Sequence, residues 1–232
     1  MSHQIASHTT KAIQSSSDAT RTRTLLACGA LAGPLFVAVG FIQIPFRSGF
    51  DWMRHPLSML SLGDLGWIQI ANFVVTGTFV LAAAVGMSRA LRGRSSWGPR
   101  LVGVFGAGLI AAGIFVADPM HGFPAGAPAG RPETLSVHGI LHIVVAAIGF
   151  LCLVAACFVL ARGYSRERRA RWMWFSLLTG IVFLLAFAGV ASGSSSASVI
   201  LGFWAGVVVA FAWIAAVSVD LYRQTGFNRK AA

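Results

Sequence analysis

The chain has 232 residues, of which 56% are hydrophobic and only 11% are charged, whereas a soluble domain carries roughly 25% charged residues. No polar stretch is long enough to bury a core of its own, so the composition excludes a separate soluble domain. The net charge of +11 comes from basic residues beside apolar runs, which indicates contact with anionic membrane lipids. No nucleic-acid partner is expected, because no polar element is available to read bases.

The apolar residues fall into runs of about 20, the length that crosses a bilayer as a helix. The sequence therefore predicts an all-α fold, a polytopic membrane protein with a bundle of six transmembrane helices. Residues 1–23, rich in Ser and Thr, are expected to form a disordered cytoplasmic tail, residues 24–222 the transmembrane domain and residues 223–232 a second tail. The predicted spans are 24–45, 66–91, 100–117, 136–161, 172–190 and 199–219.

The basic residues are divided unequally between the two ends of these spans. Fifteen of the 18 Lys and Arg residues lie in the tails and in the loops that follow the second and fourth spans. The other three, Arg47, Arg54 and Arg131, lie in the loops that follow the first and third spans. The positive-inside rule therefore predicts that both termini are cytoplasmic.

The small residues and cysteines inside the apolar runs are typical of residues that pack between helices. Gly29-x-x-x-Gly33 in the first span permits close contact between helices. The three cysteines all lie in apolar runs, where they are typical of small buried hydrophobes and not of a disulfide framework. They are Cys28, Cys152 and Cys157.

The polar side chains that could take part in catalysis or bind a metal are concentrated in the two loops predicted to be external. His138 and His142 are spaced i, i+4, so on a helix they share a face and can grip one metal ion. A zinc site needs a third protein ligand, for which His121, Asp118 and His55 are candidates. A pair of packing histidines bonded to loop carbonyls is the alternative interpretation.

Asp118 has two open interpretations as well. It is a candidate catalytic group, as a general base or as an orienter of a histidine. The Asp118-Pro119 pair is also typical of a chain that ends a helix and begins a turn.

The segment from His55 to Gly63 predicts a short helix at the external interface, with Pro56 at its start and Gly63 past its end. Ser58 is a candidate donor to a substrate or an oxyanion, although a serine satisfied by its own helix is the commoner case. Asp51, Arg54 and Asp64 are expected to form loop salt bridges. Candidate substrate-binding residues are Arg47, Asp51 and Arg54, with the arginines placed to hold a lipid phosphate.

Several of these motifs together resemble a known family. They are Gly33-Pro-Leu-Phe, the loop from Arg47 through Gly49-Phe50-Asp51 to His55-Pro-Leu-Ser58, and Asp118-Pro-Met-His121-Gly followed by His138-Gly-x-x-His142. The pattern is similar to the six-span bacterial family known as domain of unknown function 998. The resemblance implies the six-span fold and a location in the bacterial plasma membrane, and it implies no activity.

A looser similarity is to membrane zinc hydrolases of the alkaline ceramidase and adiponectin receptor type. His138 and His142 match their histidine pair, and His55, Asp118 and Ser58 are candidates for the rest. Those proteins have seven spans, however, and their serine precedes the early histidine.

Two functions are therefore considered. The first is a metal-dependent hydrolase that acts on a lipid, with zinc bound by His138, His142 and either His55 or His121. The second is a non-catalytic binding, transport or assembly protein whose polar cluster braces the external loops. The expected partners are membrane lipids, and a protein partner or a second copy of the chain is left open.

Overall fold

The computed structural model describes residues 2–230, with side chains for residues 17–226. Six helices account for most of these residues: α1 Ser2–Gln43, α2 Gly66–Ala90, α3 Trp97–Ile114, α4 Val137–Arg166, α5 Ala170–Ala191 and α6 Ala197–Lys230. Two short 3₁₀ helices, Ile44–Phe46 and Leu57–Ser61, lie between α1 and α2. Each of the six long helices contains a segment that is long and apolar enough to cross a membrane.

Each predicted span overlaps one of these helices, with different errors at its ends. The bounds of α2, α3 and α5 differ from the predicted spans by a few residues. In contrast, α1 is helical from Ser2, across most of the stretch for which a tail was predicted. Residues 1–23 contain neither Pro nor Gly, so the two residue types that most disfavour a helix are missing from this polar segment.

The six helices form a closed ring in chain order. Each helix packs against the next, and α6 returns to pack against α1 and, to a lesser extent, α2. Short loops join neighbours, as in antiparallel bundles. The loops consequently lie at two ends, one holding the connections α1–α2, α3–α4 and α5–α6, and the other holding α2–α3, α4–α5 and the ends of α1 and α6.

Aromatic rings fill the centre of the ring of helices. Phe36 of α1 lies 4.7 Å from Phe211 of α6 and 5.6 Å from Phe73 of α2, measured between ring centroids. Phe150 of α4 contacts Phe183 of α5 at 5.2 Å. Further ring contacts join Phe105, Phe150, Phe203 and Phe211. Rings from all six helices therefore meet, and the bundle centre is packed with apolar side chains.

Close helix contacts occur where the sequence supplies glycine. A Cβ added to Gly29 would lie 2.2 Å from Ser218 Oγ of α6, and one added to Gly33 would lie 2.9 Å from Phe211 Cβ. The predicted close contact at this glycine pair is confirmed, with α6 as the main neighbour. Gly77 of α2 and Gly106 of α3 form a similar contact, because a Cβ at Gly77 would lie 2.6 Å from the Gly106 carbonyl oxygen.

Candidate functional site

The loops that contain the predicted site residues form one ordered structure, which we call the cap and define as residues 44–65 and 115–136. Its 3₁₀ helix Leu57–Ser61 follows Pro56, and Gly63 has a φ of 71° that turns the chain toward α2. Four of the five residues in this helix are buried. A Cβ at Gly40 of α1 would lie 2.8 Å from Leu57 Cδ1. The predicted short helix therefore exists and packs into the end of the bundle.

His55 joins the two halves of the cap through both of its ring nitrogens. Its Nδ1 accepts a hydrogen bond from the Asp51 backbone N–H at 2.9 Å. The proton of a neutral ring must then be on Nε2, which lies 3.1 Å from the His121 carbonyl oxygen and donates to it. The side chain is 2% exposed, and the Trp204 indole N–H of α6 donates to the His55 carbonyl. His55 is therefore a buried link between the two loops and α6.

The Arg47 side chain links two parts of the first loop of the cap. Its guanidinium donates to the carbonyl oxygens of Leu60, at 2.8 Å, and Leu62. The same group lies over the Phe123 ring, 5.5 Å from its centroid. Burial lowers the pKa of Arg47, and the Asp64 carboxylate opposes that change. Arg47 was predicted to bind substrate, but in this structure its donors are directed at backbone carbonyls within the cap.

Phe123 is the apolar centre of the cap. It is 1% exposed and forms a small cluster with Met59 and Leu62 that is separate from the bundle core. The rings of Phe50 and His55 lie 5.3 and 5.6 Å from it. The cap therefore has its own core, in which an imidazole packs among phenyl rings.

His138 and His142 share a helix face as predicted, and that face meets the end of α3. His142 is buried, and its Nδ1 donates to the Phe115 carbonyl at 2.7 Å. His138 is exposed and meets the Phe115 ring edge-on at 5.9 Å. Phe115 is the residue that ends α3, so the pair contacts a helix terminus.

Asp118 and Ser136 together begin α4. The Ser136 hydroxyl accepts a hydrogen bond from the Gly139 backbone N–H at 3.0 Å, which is the bond of an N-cap residue. Asp118 accepts from the Ser136 hydroxyl at 2.5 Å and from the Ser136 backbone N–H at 2.9 Å. A Cβ at Gly139 would lie 2.1 Å from the Asp118 carboxylate. Both carboxylate oxygens are thus used to fix the start of this helix.

The remaining predicted residues are not brought together. Asp51 Oδ1 accepts a hydrogen bond from the Met53 backbone N–H at 2.9 Å. Within residues 17–226 no ion pair includes Asp51, Arg54 or Asp64. The predicted loop salt bridges are therefore wrong. The Ser58 hydroxyl has no hydrogen-bond partner among the described side chains, and the Ser58 carbonyl accepts from Ser61. Over the same residues, no group of three or more His, Cys, Asp and Glu side chains is arranged to hold a metal ion.

The outward surface of the cap carries basic groups. Arg54 and Arg131 flank a series of hydrogen bonds that crosses the cap. The ring of His55, next to Arg54, bonds to the His121 carbonyl. The His121 N–H donates to the carbonyl of Gly130, next to Arg131. Arg54 and Arg131 are both exposed. Burial lowers the pKa of His121 below its ordinary value of 6.5, and the positive charges of Arg131 and Arg54 lower it further. Asp64 and Glu133 are exposed on the cap as well, so its surface carries charges of both signs.

Sequence reasoning missed a polar cluster beneath the cap. Gln43 Nε2 donates to Gln69 Oε1 at 2.9 Å, and Asn72 Nδ2 donates to the same oxygen and to the Phe36 carbonyl. Thr76 Oγ1 donates to Asn72 Oδ1 at 3.3 Å. All four side chains are buried. The signal was present, because Gln69, Asn72 and Thr76 are spaced for one helix face.

A second network at the opposite end was also missed, since that end was expected to carry little beyond arginines. Glu167 accepts two hydrogen bonds from Arg94, and Asp220 accepts from Arg169 at 2.7 Å. Gln224 connects the two pairs by bonding to Arg94 and Asp220. These bonds tie the α2–α3 and α4–α5 loops to α6. The isolated acidic residues within basic stretches of the sequence could have indicated this network.

Comparison with known proteins places the chain in a family. No curated protein and no solved structure gives a significant match. The family described as "Protein of unknown function (DUF998)" matches residues 30–220. This match spans most of the chain and includes the cap, the four complete helices α2, α3, α4 and α5, and parts of α1 and α6. The chain therefore belongs to the DUF998 family of multi-pass membrane proteins.

Proposed function

We propose that the protein is a non-catalytic membrane protein whose cap is a rigid binding platform on the outer face of the membrane. The observation that carries this proposal is the use of both His55 ring nitrogens to join Asp51 to His121 across the two loops. Asp118, Arg47 and the Nδ1 atom of His142 likewise bond to backbone groups or to a helix cap. Side chains that are fixed in this way stabilise a surface and are poorly placed for proton transfer.

A zinc-dependent lipid hydrolase is the alternative that this arrangement favours less. Such a site needs three protein ligands around one open position. The bond from His142 Nδ1 to the Phe115 carbonyl is compatible with a metal on the other ring nitrogen. However, Asp118 directs both carboxylate oxygens at Ser136, and residues 17–226 contain no group of three His, Cys, Asp and Glu side chains placed to hold a metal ion. The charged groups exposed on the cap are Arg54 and Arg131 beside Asp64 and Glu133, a mixed set that suits a polar partner with charges of both signs.

The location proposed for this platform follows from the charge distribution. The basic residues at the end opposite the cap favour a cytoplasmic position for that end and for both termini. The cap then faces outward from a bacterial plasma membrane, and the platform acts on groups outside the cell or at the outer leaflet.

Replacement of His55 by Ala tests the proposal against the hydrolase alternative. Loss of two buried hydrogen bonds and of the imidazole packing is expected to lower the free energy of unfolding by about 3 kcal/mol. His138→Ala is the matched control, because His138 is exposed and its ring makes an edge-on contact with Phe115. The measurement is denaturant unfolding of the purified protein in detergent, with and without a chelator, beside analysis of bound metal.

The proposal expects a large effect of His55→Ala, a small effect of His138→Ala and no effect of the chelator. Stoichiometric zinc that is lost in His138→Ala, together with destabilisation by the chelator, would instead establish a metal site. That result would overturn the non-catalytic proposal in favour of the hydrolase.

A further inference from the structure

A shallow groove lies at the end of the bundle opposite the cap. It runs between α1 and α6, has a volume of about 250 Å³ and is lined by Thr20, Arg23, Thr24, Ala27 and Tyr222. Arg23 is the last charged residue before residues 24–46, which carry no charge. At 1.5 Å per residue this stretch spans about 34 Å of helix, so Arg23 lies at one edge of the hydrocarbon layer and Arg47 at the other.

The Arg23 side chain is held in place and has an unused donor. Its guanidinium carbon lies 4.2 Å from the centroid of the Tyr222 ring, in a cation–π contact. Its Nε is buried and has no hydrogen-bond partner. The two ion pairs found among residues 17–226 involve other arginines. Nε is enclosed by the protein, so an acceptor from outside the chain would meet the terminal nitrogens of the Arg23 guanidinium, which take part in neither ion pair.

The chemistry of this acceptor follows from its position. A guanidinium on an aromatic face presents a planar fork of N–H groups, which matches the oxygens of a phosphate. The groove opens at the level of the membrane edge, where phospholipid phosphates are concentrated at high local density. The absence of charge from residue 24 onward leaves the apolar side of α1 for acyl chains.

We propose that this groove binds the phosphate group of a membrane phospholipid, with Arg23 as the ligand and the Tyr222 ring as its support. The site lies at the opposite end of the bundle from the cap and is independent of the function proposed for the cap. A bound lipid bridges α1 and α6, which are the first and last helices of the ring.

Native mass spectrometry of the detergent-solubilised protein, titrated with dioctanoyl phosphatidylglycerol, tests this site. Arg23→Gln is expected to weaken binding about tenfold, because a hydrogen bond to a charged group is lost. Arg162→Gln is the matched control, since Arg162 is an exposed arginine at the same end of the bundle. It makes the same change in charge and is expected to leave binding unchanged. Dioctanoylglycerol, which has no phosphate, is expected not to compete.

Three results would overturn the proposal. Equal losses in Arg23→Gln and Arg162→Gln would reduce the effect to non-specific attraction by the basic end. Equally tight binding of inorganic phosphate would assign the groove to a soluble phosphate instead of a lipid. Saturable lipid binding that is unaffected by Arg23→Gln would place the lipid elsewhere. If Arg23→Gln fails to fold, Arg23→Lys replaces it, and an intermediate loss is expected because charge is kept while the planar fork is lost.

Discussion

At the scale of single residues, the histidines of the cap differ in what they do although the sequence presents them as a group. His55 is buried with both nitrogens engaged, and His142 is buried with Nδ1 engaged. His138 is exposed. His121 adopts a positive φ of 53°, next to Gly122 at 80°. Such a backbone is uncommon for a residue other than Gly, and it lets the His121 N–H and carbonyl bind Gly130 and His55 on opposite sides.

His121 gives the cap a pH-dependent stability with a definite sign. Its pKa is lower in the folded chain than the ordinary value of 6.5, so the unfolded chain binds more protons in this range. Above pH 6.5 the His121 ring takes nothing from the stability of the folded chain. As the pH falls toward the lower pKa that this ring has in the folded chain, stability is lost. We expect the melting temperature to fall on acidification from neutral pH, as followed by thermal unfolding in detergent.

Replacement of His121 by Asn removes the titrating ring and keeps a residue that tolerates positive φ. Its melting temperature is expected to vary less with pH than that of the unaltered protein. His138→Ala should retain the full pH dependence. A profile that is unchanged in His121→Asn would show that the acid sensitivity arises from another group.

At the scale of helices, glycine determines how closely α2 and α3 approach. Gly77→Ala would place a methyl group 2.6 Å from the Gly106 carbonyl oxygen, which the backbone can relieve only by moving the helices apart. We expect a loss of about 1–3 kcal/mol of unfolding free energy, as for overpacked cores. Chemical denaturation in mixed micelles, followed by tryptophan fluorescence, measures this loss.

Gly163→Ala is the control for that change, because a Cβ at Gly163 of α4 meets nothing within 4 Å. Both substitutions gain the same helix propensity, so their difference isolates the packing contact. The expected result for Gly163→Ala is a neutral or slightly stabilising change. Equal responses at the two positions would contradict the close contact between α2 and α3.

The sequence predicts helices better than it predicts the site, for a physical reason. A membrane span is determined by its own run of apolar residues, so α2, α3 and α5 can be located without knowledge of their neighbours. The i, i+4 spacing of His138 and His142 likewise establishes a shared face. It cannot show that the Phe115 carbonyl and ring lie opposite that face. Partners from distant segments arise only when the chain is folded.

At the scale of the whole molecule, the distribution of arginines predicts the orientation of the bundle. Ser195, in the α5–α6 connection at the cap end, and Ser96, in the α2–α3 loop, are both exposed and suit introduced cysteines. A membrane-impermeant maleimide applied to intact cells is expected to label Ser195→Cys but not Ser96→Cys. Labelling of Ser96→Cys after membrane permeabilisation is the positive control. The reverse pattern would place the termini outside.

The closed ring of helices has a consequence for the order in which the protein assembles. Most interfaces join consecutive helices, so each can form as soon as the second member of the pair is synthesised. The contacts of α6 with α1 and α2 are different, because they join the two ends of the chain. Until α6 is inserted, the face of α1 that contains Gly29 and Gly33 has no protein neighbour from the C-terminal half. The interface between α1 and α6 is thus the last to form, and only then does the basic end of the bundle reach its final structure.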